Sequence, residues 1–169
     1  MKIDFVAAYE GGYRNLSSRA KNYLKRQNEV SERTLLGNKE CLRLAIKLGG
    51  WNGRKRMFVC LCLMPYLEQQ SKDQEGRTSL GKALAQVGLN EKRVRKAHRS
   101  DGPHCFRFLR SAVKAAASRS RSGRLRVDWS LVGPQVYWWG KSSFTPGFVD
   151  SQTRLYEDYL RYKYERFDD

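Results

Sequence analysis

Residues 57–64 read Met-Phe-Val-Cys-Leu-Cys-Leu-Met, eight apolar side chains without a break. A helix apolar on all sides belongs in the middle of a bundle, where other elements cover every face. Eight residues fall well short of the ~18 needed to cross a bilayer, so the run is core and no membrane partner is expected. As a helix it extends over about residues 54–67, with Pro65 ending or kinking it. A buried central strand is the alternative reading of the same run.

The covering elements read as helices. Few segments alternate with period two and β-branched residues are sparse. Ser17 or Ser18 can cap a helix carrying Ala20, Tyr23 and Leu24 on one side and Lys21, Lys25 and Arg26 on the other. A second helix is expected over about residues 31–48, closed by Gly49-Gly50. Ser79 starts another, with Leu80, Ala83, Leu84 and Val87 at helical spacing. Asn90 caps the next, Asp128 a third, and a Tyr-rich amphipathic helix fills about residues 152–167. The polar stretch 68–78 reads as a mobile loop, and the Ser/Arg/Gly-rich stretch 118–126 as flexible without a ligand. The expectation is an all-α, compact helical bundle with one strongly basic face. The chain forms a single helical domain, 1–169, which could divide into sub-bundles 1–67 and 79–169 around the polar loop.

Charge supplies the functional constraint. Lysine and arginine number 33 against 17 acidic residues, a net of +16. More than half of the excess lies in one stretch, since residues 87–126 hold twelve basic and two acidic residues, a net of +10. Such an imbalance calls for a polyanion, nucleic acid first, with an acidic protein or anionic membrane a distant second. Arg93, Lys96 and Arg99 project from successive turns of one expected helix, and Arg107, Arg110 and Lys114 from the next. Long side chains at that spacing can follow a phosphate backbone, and arginine can fork onto phosphate oxygens. The competing reading is a solvated face with diffuse charge. The four tryptophans (Trp51, Trp129, Trp138, Trp139) sit beside apolar residues and are expected to pack in the core rather than stack on bases.

Catalytic patterns do not occur. The acidic residues are scattered, there is no phosphate-binding Gly-x4-Gly-Lys-Ser/Thr, and no Gly-x-Ser-x-Gly. Cys60-x-Cys62 is poor zinc spacing with no second pair to complete it, so no metal and no cofactor are expected. Four cysteines without a framework suit free thiols in a reducing compartment, and no apolar signal region follows Met1.

Several blocks resemble the CasB family, the small subunit of the type I-E CRISPR surveillance complex Cascade. Gly50-Trp51 is followed by Arg54 and by Phe58-Val59-Cys60-Leu61. Ser79-Leu80-Gly81-Lys82-Ala83-Leu84-Ala85 comes next, then Leu89-Asn90-Glu91-Lys92-Arg93-Val94 with Arg99-x-Asp101. Val127-Asp128-Trp129 and Trp138-Trp139-Gly140-Lys141 complete the set. The clear similarity covers about residues 79–101 and 127–141, with a weaker match over 49–63. Ser142-Ser143-Phe144 follows where the family shows more basic residues.

The resemblance implies a non-catalytic, cytoplasmic prokaryotic protein of antiviral defence. It implies other Cascade subunits as partners: those that form a backbone on the guide RNA (crRNA, contacted indirectly) and the large subunit. A second copy of the chain would lie beside it. The basic face would hold target and displaced DNA strands and stabilise the R-loop. Arg54, Arg93, Arg99 and Lys141 match the family's basic patch, and Lys25, Arg26, Lys72 and Arg110 correspond more loosely. Two further readings of the charge are a free-standing, sequence-tolerant RNA- or DNA-binding protein and a nucleic-acid-processing enzyme.

Overall fold

A computed structural model describes residues 2–100, 105–140 and 150–165. The apolar run is helical. It forms the second half of α4 (Lys39–Leu63), where Met57, Phe58, Cys60, Leu61, Cys62 and Leu63 are all buried. Gly50, at φ +71°, breaks α4 into an outer part, 39–49, and this central part. Only glycine takes that left-handed backbone at no steric cost. The Gly-Gly stop read from sequence is therefore a kink between two coupled helices.

Around this rod stand α1 (Phe5–Ala7), α2 (Ser18–Arg26), α3 (Glu32–Leu36), α5 (Leu80–Gln86), α6 (Glu91–Arg99), α7 (Cys105–Ala117), α8 (Trp129–Tyr137) and α9 (Ser151–Glu165). A wide π-turn over 8–12 and a 3-10 turn over 13–15 join α1 to α2. The N-caps follow the local chemistry. Ser17, Ser31, Asn38, Ser79, Asn90 and Asp128 each accept a hydrogen bond from a backbone N–H of the first turn they precede. The single helix expected over 31–48 is two, because Ser31 and Thr34 close a capping box on α3 and Asn38 starts α4 afresh two residues after α3 ends.

The fold is mostly all-α, with one departure among the described residues. Leu67–Gln69 (β1) and Leu125–Val127 (β2) pair in parallel, Leu67 opposite Leu125, Glu68 opposite Arg126 and Gln69 opposite Val127. Trp129, fully buried, locks the pair by donating from Nε1 to the Leu67 carbonyl (3.0 Å) and from its backbone N to Gln69 Oε1 (2.8 Å). The stretch read as flexible is consequently structured. Arg119 Nη1 donates to the Gly88 carbonyl at 2.6 Å, and residues 125–127 lie in the sheet. The polar stretch 68–78 likewise begins inside β1, and its Gln70 and Thr78 are buried, joined by a bond from the Thr78 N–H to Gln70 Oε1. One contiguous apolar cluster runs from Phe5 to Tyr159 and includes residues on both sides of this stretch.

Candidate nucleic-acid interface

α6 and α7 build the basic face by amphipathicity. On α6 only Val94 and Ala97 are buried, so Lys92, Arg93, Arg95, Lys96 and Arg99 are left exposed. On α7 the buried stripe is Phe106, Leu109, Ala112, Val113, Ala116 and Ala117, and Arg107, Ser111 and Lys114 stand outside it. Packed together, the two helices enclose a groove of about 520 Å³ lined by Asn28, Arg93, Arg107, Phe108, Arg110, Ser111, Lys114 and Ser118 among others. Lys96 reaches the same place, its Nζ 4.7 Å from the centre of the Phe108 ring. Among the described residues no carboxylate lies within ion-pair distance of Arg93, Lys96, Arg107, Arg110 or Lys114. Concentrated cations without counter-charges raise a local positive potential that attracts phosphate.

Arg110 differs from its neighbours. Its Nη2 donates to the Lys25 carbonyl (2.8 Å), where the Tyr66 hydroxyl also donates (2.9 Å), and it lies 3.4 Å from that hydroxyl. Burial pushes the Tyr66 hydroxyl pKa up, against the opposing pull of Arg110, so the phenol remains a donor at neutral pH. Arg110 Nε is buried with no partner among the described residues. The side chain thus ties the end of α2 to α7 and brings Asn28 to the groove.

The remaining candidates are dispersed. Lys25 and Arg26 are exposed at the end of α2, and Lys25 touches the groove through its carbonyl. Arg99 is exposed at the last position of α6, one turn beyond Lys96. Lys72 is exposed in the turn after β1 and does not line the groove. Arg54 is committed to partners within the chain at the surface: it pairs with Glu32 (2.8 Å), donates to the Trp51 carbonyl (2.7 Å) and keeps only 16% of its side chain exposed. Lys141 lies outside the described residues. Elsewhere in the charge-rich stretch, Arg95 pairs with Glu91, Arg126 with Glu68, and Arg119 binds the carbonyls that end α5.

Asn28, Ser111 and Ser118 were not anticipated as lining residues. Ser111 and Ser118 carry a signal, since 107, 111, 114 and 118 form an i, i+4, i+7, i+11 row on one helical face. Asn28 carries none, because it follows the end of α2 and reaches the groove only through tertiary packing. The tryptophan expectation holds for Trp129 but not for Trp51 and Trp138, which are surface residues. Among the described residues no group of three or more His, Cys, Asp or Glu side chains could hold a metal ion, and no helix is long and apolar enough to cross a membrane.

No protein-family model matches the chain, and no curated protein matches it. Among solved structures it shares its fold with a chain of a DNA-bound complex. One match is a chain in the crystal structure of E. coli Cascade bound to a PAM-containing double-stranded DNA target. The TM-score is 0.73 at 24% identity, covering 98% of this chain and 99% of that one.

Proposed function

We propose that this chain is a CasB-type small subunit of a Cascade surveillance complex, non-catalytic, which holds DNA strands through phosphate contacts and stabilises the R-loop. The observation that carries the reading is the α6–α7 groove, where Arg93, Lys96, Arg107 and Lys114 converge without acidic partners among the described residues. End-to-end likeness to a chain of DNA-bound E. coli Cascade supports it, as do the sequence blocks around Gly81 and Trp138-Trp139. Replacing a DNA duplex by an RNA–DNA hybrid is nearly neutral, at ~1.4 kcal/mol per base-pair step on either side. A few backbone contacts can then decide whether the open state persists. Such contacts need not read bases, because guide pairing supplies the sequence information.

The test is DNA binding by Cascade reconstituted with Arg93→Ala and Arg107→Ala together. Affinity for the target duplex is expected to drop, with the slope of log K on log salt becoming shallower by ~0.7–0.9 per lost phosphate contact. Unchanged affinity and slope would defeat the proposal. Tight binding by the isolated chain, equal to that of the assembly, would favour a free-standing nucleic-acid-binding protein.

A further inference from the structure

Cations alone attract the phosphates of paired and unpaired strands alike, yet one residue of the α6–α7 groove is of another kind. Among the described residues, Phe108 is the one aromatic ring that lines it. It lies between the exposed Arg107 and the buried Leu109, at the border of the stripe by which α7 enters the core. There it is half-buried: the side chain packs against the apolar cluster and still lines the groove.

Lys96 marks the open side of the ring. It is an exposed side chain of α6, and its ammonium lies over the Phe108 ring, 4.7 Å from the centre. A ring face that a hydrated ammonium reaches is one that a planar base reaches from the same side. A cation–π contact at an exposed site is weak, and the lysine stem is flexible. A base arriving over Phe108 can therefore displace the ammonium, which then has the strand's own phosphates to pair with. Arg93, Arg107 and Lys114 line the same groove, so a strand whose backbone they hold passes beside the ring.

Stacking of this kind selects a form of DNA. Bases in a duplex are stacked on their neighbours and offer only their edges in the grooves, whereas an unpaired base has a π-face to give. It selects no sequence, because every base has such a face.

We propose that Phe108 is a stacking residue: one unpaired base of a bound strand lies on its ring, a contact that single-stranded DNA can make and duplex cannot. The inference rests on the reading of the groove as the DNA surface and adds the residue that responds to unpaired bases.

The experiment measures, by fluorescence anisotropy, binding of the full chain to oligothymidylate, to an abasic strand of the same length and to a duplex of that length. Wild type is compared with Phe108→Leu and Phe108→Tyr, with circular dichroism and the thermal midpoint as checks on folding. Wild type is expected to bind oligothymidylate about ten-fold more tightly than the abasic strand. Phe108→Leu, which keeps an apolar side chain for the core, should lose that margin. Its affinities for the abasic strand and the duplex, and its slope of log K on log salt, should stay at wild-type values, and Phe108→Tyr should retain the margin. Equal affinity of wild type for the two single strands overturns the proposal, whether or not either variant folds. So does a margin that survives in Phe108→Leu. Equal losses by Phe108→Leu on all three probes overturn it as well, since the ring would then only support the shape of the groove. The groove reading is tested apart, with Arg93→Ala and Arg107→Ala together. If that variant leaves all three affinities unchanged, the groove reading falls and Phe108 with it; a missing margin with intact arginine dependence brings down the stacking role alone.

Discussion

Arg110 shows how the same residue type divides between binding and positioning. By spacing it belongs to a row with Arg107 and Lys114, yet its guanidinium is turned toward the Lys25 carbonyl and the Tyr66 hydroxyl. The exposed row is instead Arg107, Ser111 and Lys114. Arg110→Lys keeps the charge but removes the planar fork. Arg110→Lys is therefore expected to lower DNA affinity while leaving the salt slope unchanged. A lost phosphate contact would instead make it shallower by ~0.7–0.9. Urea unfolding should also register the lost tie between α2 and α7, at about 1–3 kcal/mol. The cysteines give a second residue-scale prediction. Burial pushes Cys41 up to about 12 and Cys62 well above its ordinary value, and Cys60 shifts the same way. The thiolate is the reactive form. Iodoacetamide at pH 8 should therefore label these three only as fast as the protein unfolds, and rapid native labelling would show that the α4 core opens locally.

At the scale of elements, α9 packs against both α5 and α6. A β-carbon on Gly81 would meet the Leu155 carbonyl, Asp158 Cβ at 2.7 Å and Tyr159 N at 2.8 Å, so the α5–α9 approach depends on glycine. Two of those atoms are backbone and cannot swing aside. Gly81→Ala is expected to cost about 1–3 kcal/mol by overpacking, measured as a fall in the urea midpoint. Glu91 ties α6 to α9. Bonds from Tyr156, Lys163 and Arg95 lower its carboxyl pKa to about 2. A carboxyl depressed in the folded state stabilises it above the unfolded value, and that contribution disappears as pH falls toward the folded value. Docking of α9 should therefore weaken between about pH 4.5 and pH 2, and Glu91→Gln should remove that part of the acid sensitivity, followed by hydrogen exchange in α9. These helices were legible because Ser79, Asn90 and the apolar spacing act within a single turn. The β1–β2 pair was not, because three-residue strands are too short for alternation to register and their partners lie 58 residues apart in sequence. The split between α3 and α4 was missed for a related reason: apolar periodicity continues across it, and only the caps at Ser31 and Asn38 mark the break. In the groove, helix spacing revealed Arg93, Arg107 and Lys114, whereas the inward turn of Arg110 and the arrival of Asn28 depend on contacts with α2 that no local pattern encodes.

The net charge of +16 belongs to the whole molecule, and the structure divides it into two parts. Some cations are used internally: Arg54 and Lys55 on Glu32, Arg77 on Asp128, Arg126 on Glu68, Lys163 and Arg95 on Glu91. Arg93, Lys96, Arg107 and Lys114 at the α6–α7 groove have no carboxylate partner among the described residues, and their mutual repulsion opposes folding until an anion arrives. Stability and binding therefore pull in opposite directions at this one place. Screening alone should relieve part of the repulsion, so the thermal midpoint of the isolated chain should rise between about 20 and 200 mM salt, where the Debye length falls from over 20 Å to under 10 Å. Neutralising the groove should do the same without salt. Arg93→Gln, Arg107→Gln and Lys114→Gln combined are expected to raise the low-salt midpoint by about 2–4 °C, the shift that ~1 kcal/mol gives a chain of this size. The same variant should bind single-stranded DNA more weakly. It should also lose most of the salt dependence of its midpoint, because the charges responsible are gone. A lower midpoint in this variant would mean that the three side chains support the fold, and the groove would then be a structural feature rather than a surface held ready for phosphate.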